Sequence, residues 1–285
     1  MEWFQALILG IVQGLAEYLP ISSSGHLEIF RQILGIDLPE EQALEFDVML
    51  HAATVLSTIV VLWPMFRKLC VSFFSFRKDA DFYYVCKILL SCIPIGIVGV
   101  FFKDTVEEFF GSGLTIVGIC LLVTAALLTF AHFSDRIYKP SSKTGGKGNY
   151  EMVPASRGRD ITFLDAFVIG CAQAVAVLPG LSRSGTTIAT GILIGDKREK
   201  VAAFSFLMVI IPILGEALLD LAKIISPTPG ASSEAVGGTA MLIGFLASFL
   251  VGCAACKWML KLVNKGKLVW FAIYCVAVGL LCLFY

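Results

Sequence analysis

Long apolar runs dominate this chain, and the points at which they are interrupted predict its helices. Each half opens with two short apolar runs that meet at a polar turn containing proline and glycine, and continues with three longer runs. A helix needs about 20 residues to cross a bilayer, a length that the longer runs reach and the short runs do not. We therefore predict an all-α polytopic membrane protein in which each short pair forms a re-entrant helical hairpin.

The predicted elements fall into two halves joined by a polar stretch. The first half, 1–133, has a hairpin over about 3–36 and spans over about 46–66, 82–102 and 114–133. The second half, 161–285, has a hairpin over about 161–195 and spans over about 201–225, 236–258 and 268–285. The stretch between them, 134–160, is rich in Gly, Ser, Lys and Arg, and is predicted to be a cytoplasmic linker.

The two hairpins match each other at a constant offset of 160 residues, with no gap. The matched positions are Ala6, Gly10, Gln13, Ala16, Ser22, Ser24 and Gly25 with Ala166, Gly170, Gln173, Ala176, Ser182, Ser184 and Gly185. A hairpin returns to its own side, so each half crosses the membrane an odd number of times and the second half starts on the opposite face. The pattern therefore predicts two inverted-topology repeats, an arrangement found in many transporters.

Basic residues indicate the orientation. One set of predicted loops holds 17 of the 22 Lys and Arg residues, so this side is predicted to be cytoplasmic. Both termini are then outside a bacterial inner membrane. The two hairpins enter from opposite faces and can meet near the midplane, in a site that we expect to open to the outer face.

Composition supports a membrane class and narrows the partners. Charged residues make up 15% of the chain, against about a quarter in a typical soluble domain. Net charge is zero and therefore says nothing about partners. From the membrane class we expect membrane lipids and no nucleic acid as partners, and a homo-oligomer is compatible with the sequence. The nine cysteines lie mostly inside apolar runs, which does not suggest a disulfide framework.

Candidate chemistry is concentrated in the first turn. Gln13 and Glu17 are four residues apart and share a helix face. Glu17 is a candidate base, a candidate orienter of His26, or a ligand for a divalent cation, and His26 is a candidate nucleophile or general acid. The remaining candidate groups of this turn, for binding an anion or attacking it, are Ser22, Ser23, Ser24 and Gly25.

The second turn carries an arginine between two apolar helices. A charge at membrane depth is costly, and the planar fork of Arg183 matches phosphate oxygens. Its neighbours Ser182, Ser184, Gly185 and Thr187 add hydroxyls and a close backbone approach. Alternatively, Arg183 pairs with Glu17 and joins the halves. His51, in the first predicted span, either borders the site or packs in the core.

At these residues the chain resembles the undecaprenyl-diphosphate phosphatase family, also called bacitracin resistance proteins. The first motif reads Gln13-Gly14-Leu15-Ala16-Glu17 and continues as Pro20-Ile21-Ser22-Ser23-Ser24-Gly25-His26. The second runs from Pro179 to Thr187 as Pro-Gly-Leu-Ser-Arg-Ser-Gly-Thr-Thr. The one departure is Gln13, where some members of the family have Glu.

The resemblance implies an enzyme that removes the terminal phosphate of a C55 polyprenyl diphosphate. The product would be the monophosphate carrier lipid of bacterial cell-wall synthesis, and the activity would give bacitracin resistance. The resemblance further implies that Glu17, Ser23, His26 and Arg183 carry the chemistry and that a divalent cation, Mg²⁺ or Ca²⁺, is needed. It leaves open whether Ser23, His26 or a water attacks phosphorus.

Two other classes compete with this interpretation. Inverted repeats with broken helices are typical of transporters, so a transporter or flippase of an anionic lipid is the main alternative. The asymmetry of the turns argues against it, because only the first has Glu17 and His26 and only the second has Arg183. The other class of lipid phosphatases, in which Ser-Gly-His also occurs, needs a second catalytic His six residues after an Arg; here that position is Ala189.

Overall fold

The regular elements of the protein are α-helices. A computed structural model describes residues 1–102, 113–137, 158–225 and 237–284. The helices in these ranges are α1 (Trp3–Ala16), α2 (Ser23–Ile33), α3 (Glu40–Val61), α4 (Trp63–Phe74), α5 (Ala80–Phe101), α6 (Leu114–Ile137), α7 (Phe163–Val175), α8 (Arg183–Leu193), α9 (Arg198–Met208), α10 (Ile210–Ile225), α11 (Gly238–Asn264) and α12 (Val269–Phe284). The all-α prediction is confirmed, and most of the predicted linker lies outside the described residues.

Four of these helices are long and apolar enough to cross a membrane, which makes this a multi-pass membrane protein. They are Gln42–Val61 within α3, α5, Leu114–Ser134 within α6, and α11. The predicted spans at 46–66, 82–102, 114–133 and 236–258 overlap them. The predicted span at 268–285 corresponds to α12, whose 16 residues are too few to qualify on length.

The predicted span over 201–225 is divided in the structure into α9 and α10, which are separated by Val209. Pro212 explains the break: a proline ring clashes with the carbonyl four residues earlier and offers no N–H to the helix. Pro64 has the same effect at the end of α3. The first predicted span therefore ends at Val61, and α4 follows as a separate helix.

Prolines also determine where the first helix of each hairpin ends. α1 ends at Ala16 and α7 ends at Val175, each four residues before a proline, Pro20 or Pro179. The second helix of the first hairpin begins at Ser23, directly after its N-cap Ser22. Both hairpins consequently consist of a long helix, a turn of about six residues and a shorter helix.

Each hairpin packs against a long helix from the other half of the chain. α1 lies on α11, and α7 lies on α5. The contacts are backbone-close: a Cβ added to Gly10 would lie 2.4 Å from the Gly244 carbonyl oxygen, and one added to Gly170 would lie 2.4 Å from the Ser91 carbonyl oxygen. Small residues permit such approaches between membrane helices, so the halves are interlocked at their hairpins.

Candidate active site

The first turn is shaped by an unusual backbone conformation at Ser22. Its φ is 71°, a region that L-residues other than glycine seldom occupy, and such a conformation costs about 1–3 kcal/mol. Ser22 is nevertheless the N-cap of α2, because its hydroxyl accepts a hydrogen bond from the Gly25 N–H at 3.3 Å. Its carbonyl accepts two more, from the backbone N–H of His26 at 3.2 Å and from Nδ1 of the same residue at 2.8 Å.

Glu17 is the centre of a hydrogen-bonded cluster. Its Oε2 accepts from the Ser23 hydroxyl at 2.8 Å and from Gln13 Nε2 at 3.0 Å. The Nε2 of His51 lies 3.7 Å from the same oxygen. The sequence placed Gln13 and Glu17 on one helix face, and their hydrogen bond bears this out. A serine hydroxyl that donates to a carboxylate is arranged for activation as a nucleophile.

Tyr18 anchors this cluster to α3. Its hydroxyl donates to the Thr54 carbonyl at 2.6 Å and also contacts the hydroxyls of Ser57 and Thr58. The ring is fully buried and packs edge-on against Phe206. Because Glu17 precedes Tyr18 in the chain, this anchor positions the backbone from which the Glu17 side chain extends. α3 also carries His51, the neighbour of Glu17.

His26 is buried and has both ring nitrogens in hydrogen bonds. Nδ1 lies 2.8 Å from the Ser22 carbonyl and Nε2 lies 2.8 Å from the Tyr274 hydroxyl. The two rings are also stacked, with centroids 5.6 Å apart. A carbonyl oxygen only accepts, so Nδ1 carries a proton here.

The second turn repeats the cap of the first. The Ser182 hydroxyl accepts from the Gly185 N–H at 3.1 Å, and α8 then begins at Arg183. Thr187 is fully buried and donates to the Arg183 carbonyl at 2.9 Å, so its hydroxyl is used inside α8. The Arg183 side chain is partly buried and forms no hydrogen bond or ion pair with any described residue. The alternative in which Arg183 pairs with Glu17 is therefore not what the structure has.

The two turns are in contact. A Cβ added to Gly25 would lie 3.2 Å from Gly180 Cα, and one added to Gly185 would lie 3.0 Å from the Pro20 Cβ. The Ser184 hydroxyl donates to the Leu19 carbonyl at 3.4 Å. Gly25 of the first turn thus lies against Gly180 of the second, and Gly185 of the second lies against Pro20 of the first. The N-termini of α2 and α8 lie at this junction. Helix N-termini favour anions.

A small cavity beside Glu17 is bordered by both turns. Its volume is about 20 Å³, and Glu17 and Tyr18 of the first turn line it together with Ser184 of the second. The Ser205 hydroxyl also lines it, is fully buried, and has no hydrogen-bond partner among the described residues. This volume suits one water molecule.

The structure thus brings most of the predicted site residues to one junction. Glu17, Ser23 and Gln13 are hydrogen-bonded together, while Ser22 and Ser24 lie with their hydroxyls 3.4 Å apart. Two participants, Tyr274 and Tyr18, had not been assigned to the site, and His51, which was expected either to border the site or to pack in the core, lies beside Glu17. Tyr274 carries the only side-chain hydroxyl in α12. A single polar group in an otherwise apolar helix was the one feature of the sequence that could have pointed to it.

Comparison with known proteins was made with this geometry in hand. A family model described as bacitracin resistance protein BacA matches residues 6–281. A protein of Parabacteroides distasonis named undecaprenyl-diphosphatase is 53% identical over 98% of this chain and 97% of its own length. One of the same name from Bacteroides fragilis is 53% identical over 98% of this chain and 96% of its own. A third, from Christiangramia forsetii, is 44% identical over 98% of this chain and 97% of its own.

Proposed function

Since this chain belongs to the bacitracin resistance protein BacA family, we propose that it hydrolyses undecaprenyl diphosphate to undecaprenyl phosphate and inorganic phosphate. The observation that carries the proposal is the 2.8 Å hydrogen bond from Ser23 to Glu17, a hydroxyl beside a base in a chain whose relatives bear that activity in their name. The product would return to use as the carrier lipid of bacterial cell-wall synthesis, and the activity would give bacitracin resistance.

Ser23 is the nucleophile of the proposed reaction. Its oxygen forms a bond to the terminal phosphorus as its proton passes to Glu17, and the bond from that phosphorus to the bridging oxygen breaks. Undecaprenyl phosphate leaves, and the phosphoryl group stays on Ser23. Glu17 passes its first proton to the departing undecaprenyl phosphate. Water then attacks phosphorus and gives a proton to Glu17, the bond from phosphorus to the Ser23 oxygen breaks, and Ser23 takes the proton from Glu17 as inorganic phosphate leaves.

His26 is less suited to attack. Nδ1 carries a proton directed at the Ser22 carbonyl, and Nε2 is covered by the Tyr274 hydroxyl. We assign His26 to holding Ser22 in its positive-φ conformation, because the 2.8 Å bond to its carbonyl opposes relaxation of that backbone. Ser22 immediately precedes Ser23, so this bond helps direct the nucleophile at Glu17.

Arg183 is the proposed clamp for the diphosphate. Its guanidinium has no partner among the described residues, so its donors are available to phosphate oxygens in a bidentate arrangement. Charge accumulates on the equatorial oxygens during phosphoryl transfer, and a fixed cation stabilises it. The substrate-facing hydroxyls and backbone of Ser22, Ser24, Gly25, Ser182, Ser184 and Gly185 surround the same junction.

A divalent cation fits this site only in part. The described residues contain no group of three or more His, Cys, Asp or Glu able to hold a metal ion. Glu17 offers a carboxylate, and the buried Oε1 of Gln13 has no hydrogen-bond partner there. These two would hold Mg²⁺ or Ca²⁺ together with phosphate oxygens and water, as is common for Mg²⁺. A cation held in this way would neutralise phosphate charge.

We also propose that the two halves are inverted repeats with both termini outside and the site open to the outer face. The reciprocal packing of α1 on α11 and of α7 on α5 supports this, because α5 and α11 occupy corresponding places at the 160-residue offset. Single cysteines at Gly145 and Ser232, both outside the described residues, should label from opposite faces in a cysteine-free background. Labelling of the Gly145 site from outside would contradict the topology.

The activity test measures phosphate release by the purified protein in lipid nanodiscs. Undecaprenyl diphosphate should be hydrolysed, and Ser23→Ala should lose about 10²–10⁴-fold in kcat. Ser134→Ala is the matched control, because its hydroxyl bonds only its own helix at Ala131. Substrate labelled on the terminal phosphate should yield acid-stable phosphoserine at Ser23 after an acid quench. Phosphohistidine, which is acid-labile and would be trapped by a parallel alkaline quench, would reassign the nucleophile, and lipid translocation without phosphate release would favour a flippase.

A further inference from the structure

Tyr274 connects a remote helix to the reaction centre. It lies in α12, 248 residues after His26, and its hydroxyl is 2.8 Å from His26 Nε2 with the rings stacked at an interplanar angle of 17°. His26 itself is only 4% exposed, whereas Tyr274 is 42% exposed. The tyrosine therefore lies between the histidine and the protein surface.

The direction of each proton follows from the partners. The Ser22 carbonyl only accepts, so Nδ1–H donates to it, and in neutral His26 the Nε2 is left as an acceptor. Tyr274 must then donate its O–H to Nε2. The Ser22 carbonyl thus selects the tautomer in which Nδ1 keeps its proton, and the Tyr274 hydroxyl donates to the nitrogen that this tautomer leaves as an acceptor.

We propose that Tyr274 is a positioning residue that acts on the nucleophile through His26. Resting on the function proposed above, the chain of contacts runs from Tyr274 O–H to His26 Nε2, from His26 Nδ1–H to the Ser22 carbonyl, and from Ser22 to Ser23 and Glu17. Removing the hydroxyl leaves Nε2 without its donor and lets the His26 ring rotate away from Ser22. Ser22 then loses the bond that holds its positive φ, and Ser23 is directed less well at Glu17.

The kinetic test uses two tyrosines. Tyr274→Phe keeps the ring and should lower kcat about 2- to 12-fold with little change in KM, because a single hydrogen bond contributes about 0.5–1.5 kcal/mol. In a His26→Ala background the same substitution should have no further effect. Tyr84→Phe is the matched control, since the buried Tyr84 hydroxyl has no hydrogen-bond partner among the described residues. An equal loss in both backgrounds, or none in either, would overturn the proposal.

A second variant separates positioning from acid–base chemistry. His26→Asn places an amide N–H near the position of Nδ1 and should retain more activity than His26→Ala or His26→Gln, and it should be insensitive to Tyr274→Phe. Greater activity in His26→Gln would overturn the assignment to Nδ1.

A third measurement needs no turnover. The chain has three histidines, so ¹⁵N-histidine NMR can be assigned by substitution. His26 should be an Nδ1–H tautomer in the intact protein, and its Nε2 resonance should shift in Tyr274→Phe because the hydrogen bond from the hydroxyl is lost. An Nε2–H tautomer in the intact protein would refute the inference even if the phosphatase activity holds, while an inactive protein with the expected tautomer would refute only the function.

Discussion

The first and second turns share a backbone design and differ in their polar atoms. In each, a helix ends four residues before a proline and a serine caps the next helix, through Gly25 N–H at 3.3 Å in one and Gly185 N–H at 3.1 Å in the other. The neighbouring serine hydroxyls are 3.4 and 3.5 Å apart respectively. The scaffold is thus common to both turns, and the chemistry resides in a few side chains.

Gln13 and Gln173, which occupy equivalent positions before the two turns, differ in their hydrogen bonds. Gln13 donates to Glu17 at 3.0 Å, whereas Gln173 is fully buried and neither of its amide atoms has a hydrogen-bond partner among the described residues. Val177 stands where Glu17 would be, so the second glutamine has lost its acceptor. Thr186, at the position of His26, also has a buried hydroxyl without a described partner. The first turn is therefore the reactive one, and the second supplies Arg183.

The largest expected effect distinguishes the two turns directly. Glu17→Gln and Ser23→Ala should each lower kcat by about 10²–10⁴-fold with little loss of thermal stability, because each removes a reacting group. Thr186→Val, at the corresponding place in the second turn, should change kcat less than twofold. Initial rates in nanodiscs with melting curves on the same samples provide the measurement. Comparable losses in Thr186→Val would mean that reactivity is not confined to the first turn.

Arg183→Lys should have the next largest effect. Lysine keeps the charge but loses the bidentate fork, and one charge-assisted hydrogen bond is worth about 1.5–3 kcal/mol. We expect kcat/KM to fall about 10- to 150-fold, mostly in kcat, because the clamp stabilises charge that develops during transfer. Stability should be unchanged, since the guanidinium has no described partner to lose. A fully active Arg183→Lys enzyme would refute the clamp.

The two glutamines should respond in opposite ways. Gln13→Leu removes the donor that orients Glu17 and should lower kcat by about 2- to 12-fold, the effect of one hydrogen bond. Gln173→Leu removes a buried amide that makes no described hydrogen bond, so the melting temperature should rise while kcat is retained. Melting curves and rates of both variants test this, and destabilisation of Gln173→Leu would show that its amide has a partner such as water.

The smallest effect concerns the base of the second hairpin, where Asp196 stands at the position of Ile36. Burial and, next, the charge of Asp165 raise the pKa of Asp196 to about 6, although Arg159 and Lys87 lower it. The folded protein then holds this proton more tightly than the unfolded chain. This contribution to stability is complete below about pH 4 and is lost as the pH rises towards 6.

Asp196→Asn mimics the protonated carboxyl and should remove that part of the pH dependence. At pH 7 we expect its melting temperature to exceed the parent's by about 2–4 °C, the usual shift for about 1 kcal/mol in a protein of moderate size. At pH 4 the two should melt alike. If the two melting temperatures differ by the same amount at pH 4 and pH 7, ionisation of Asp196 is not the cause of the difference.

Local patterns in the sequence predicted the parts of the fold that local physics determines. The i, i+4 spacing of Gln13 and Glu17 predicted their contact, and the prolines predicted both helix breaks. The break at Val209 was missed because hydrophobicity continues across it, although Pro212 was visible. Tyr274 was missed because its partner is 248 residues away, and no local pattern encodes such a contact.

The packing of α1 against α11 has a consequence for biogenesis. α1 leaves the ribosome well before α11, the helix on which it lies, because α11 is made roughly 220 residues later, on the order of ten seconds or more at ordinary synthesis rates. During that interval the first hairpin, with Gln13 and Glu17, lies in the membrane without contact to α11. Insertion of this protein therefore has a built-in delay, in which an unfinished hairpin depends on temporary partners, such as lipid headgroups, water or an insertion chaperone, until its C-terminal helices arrive.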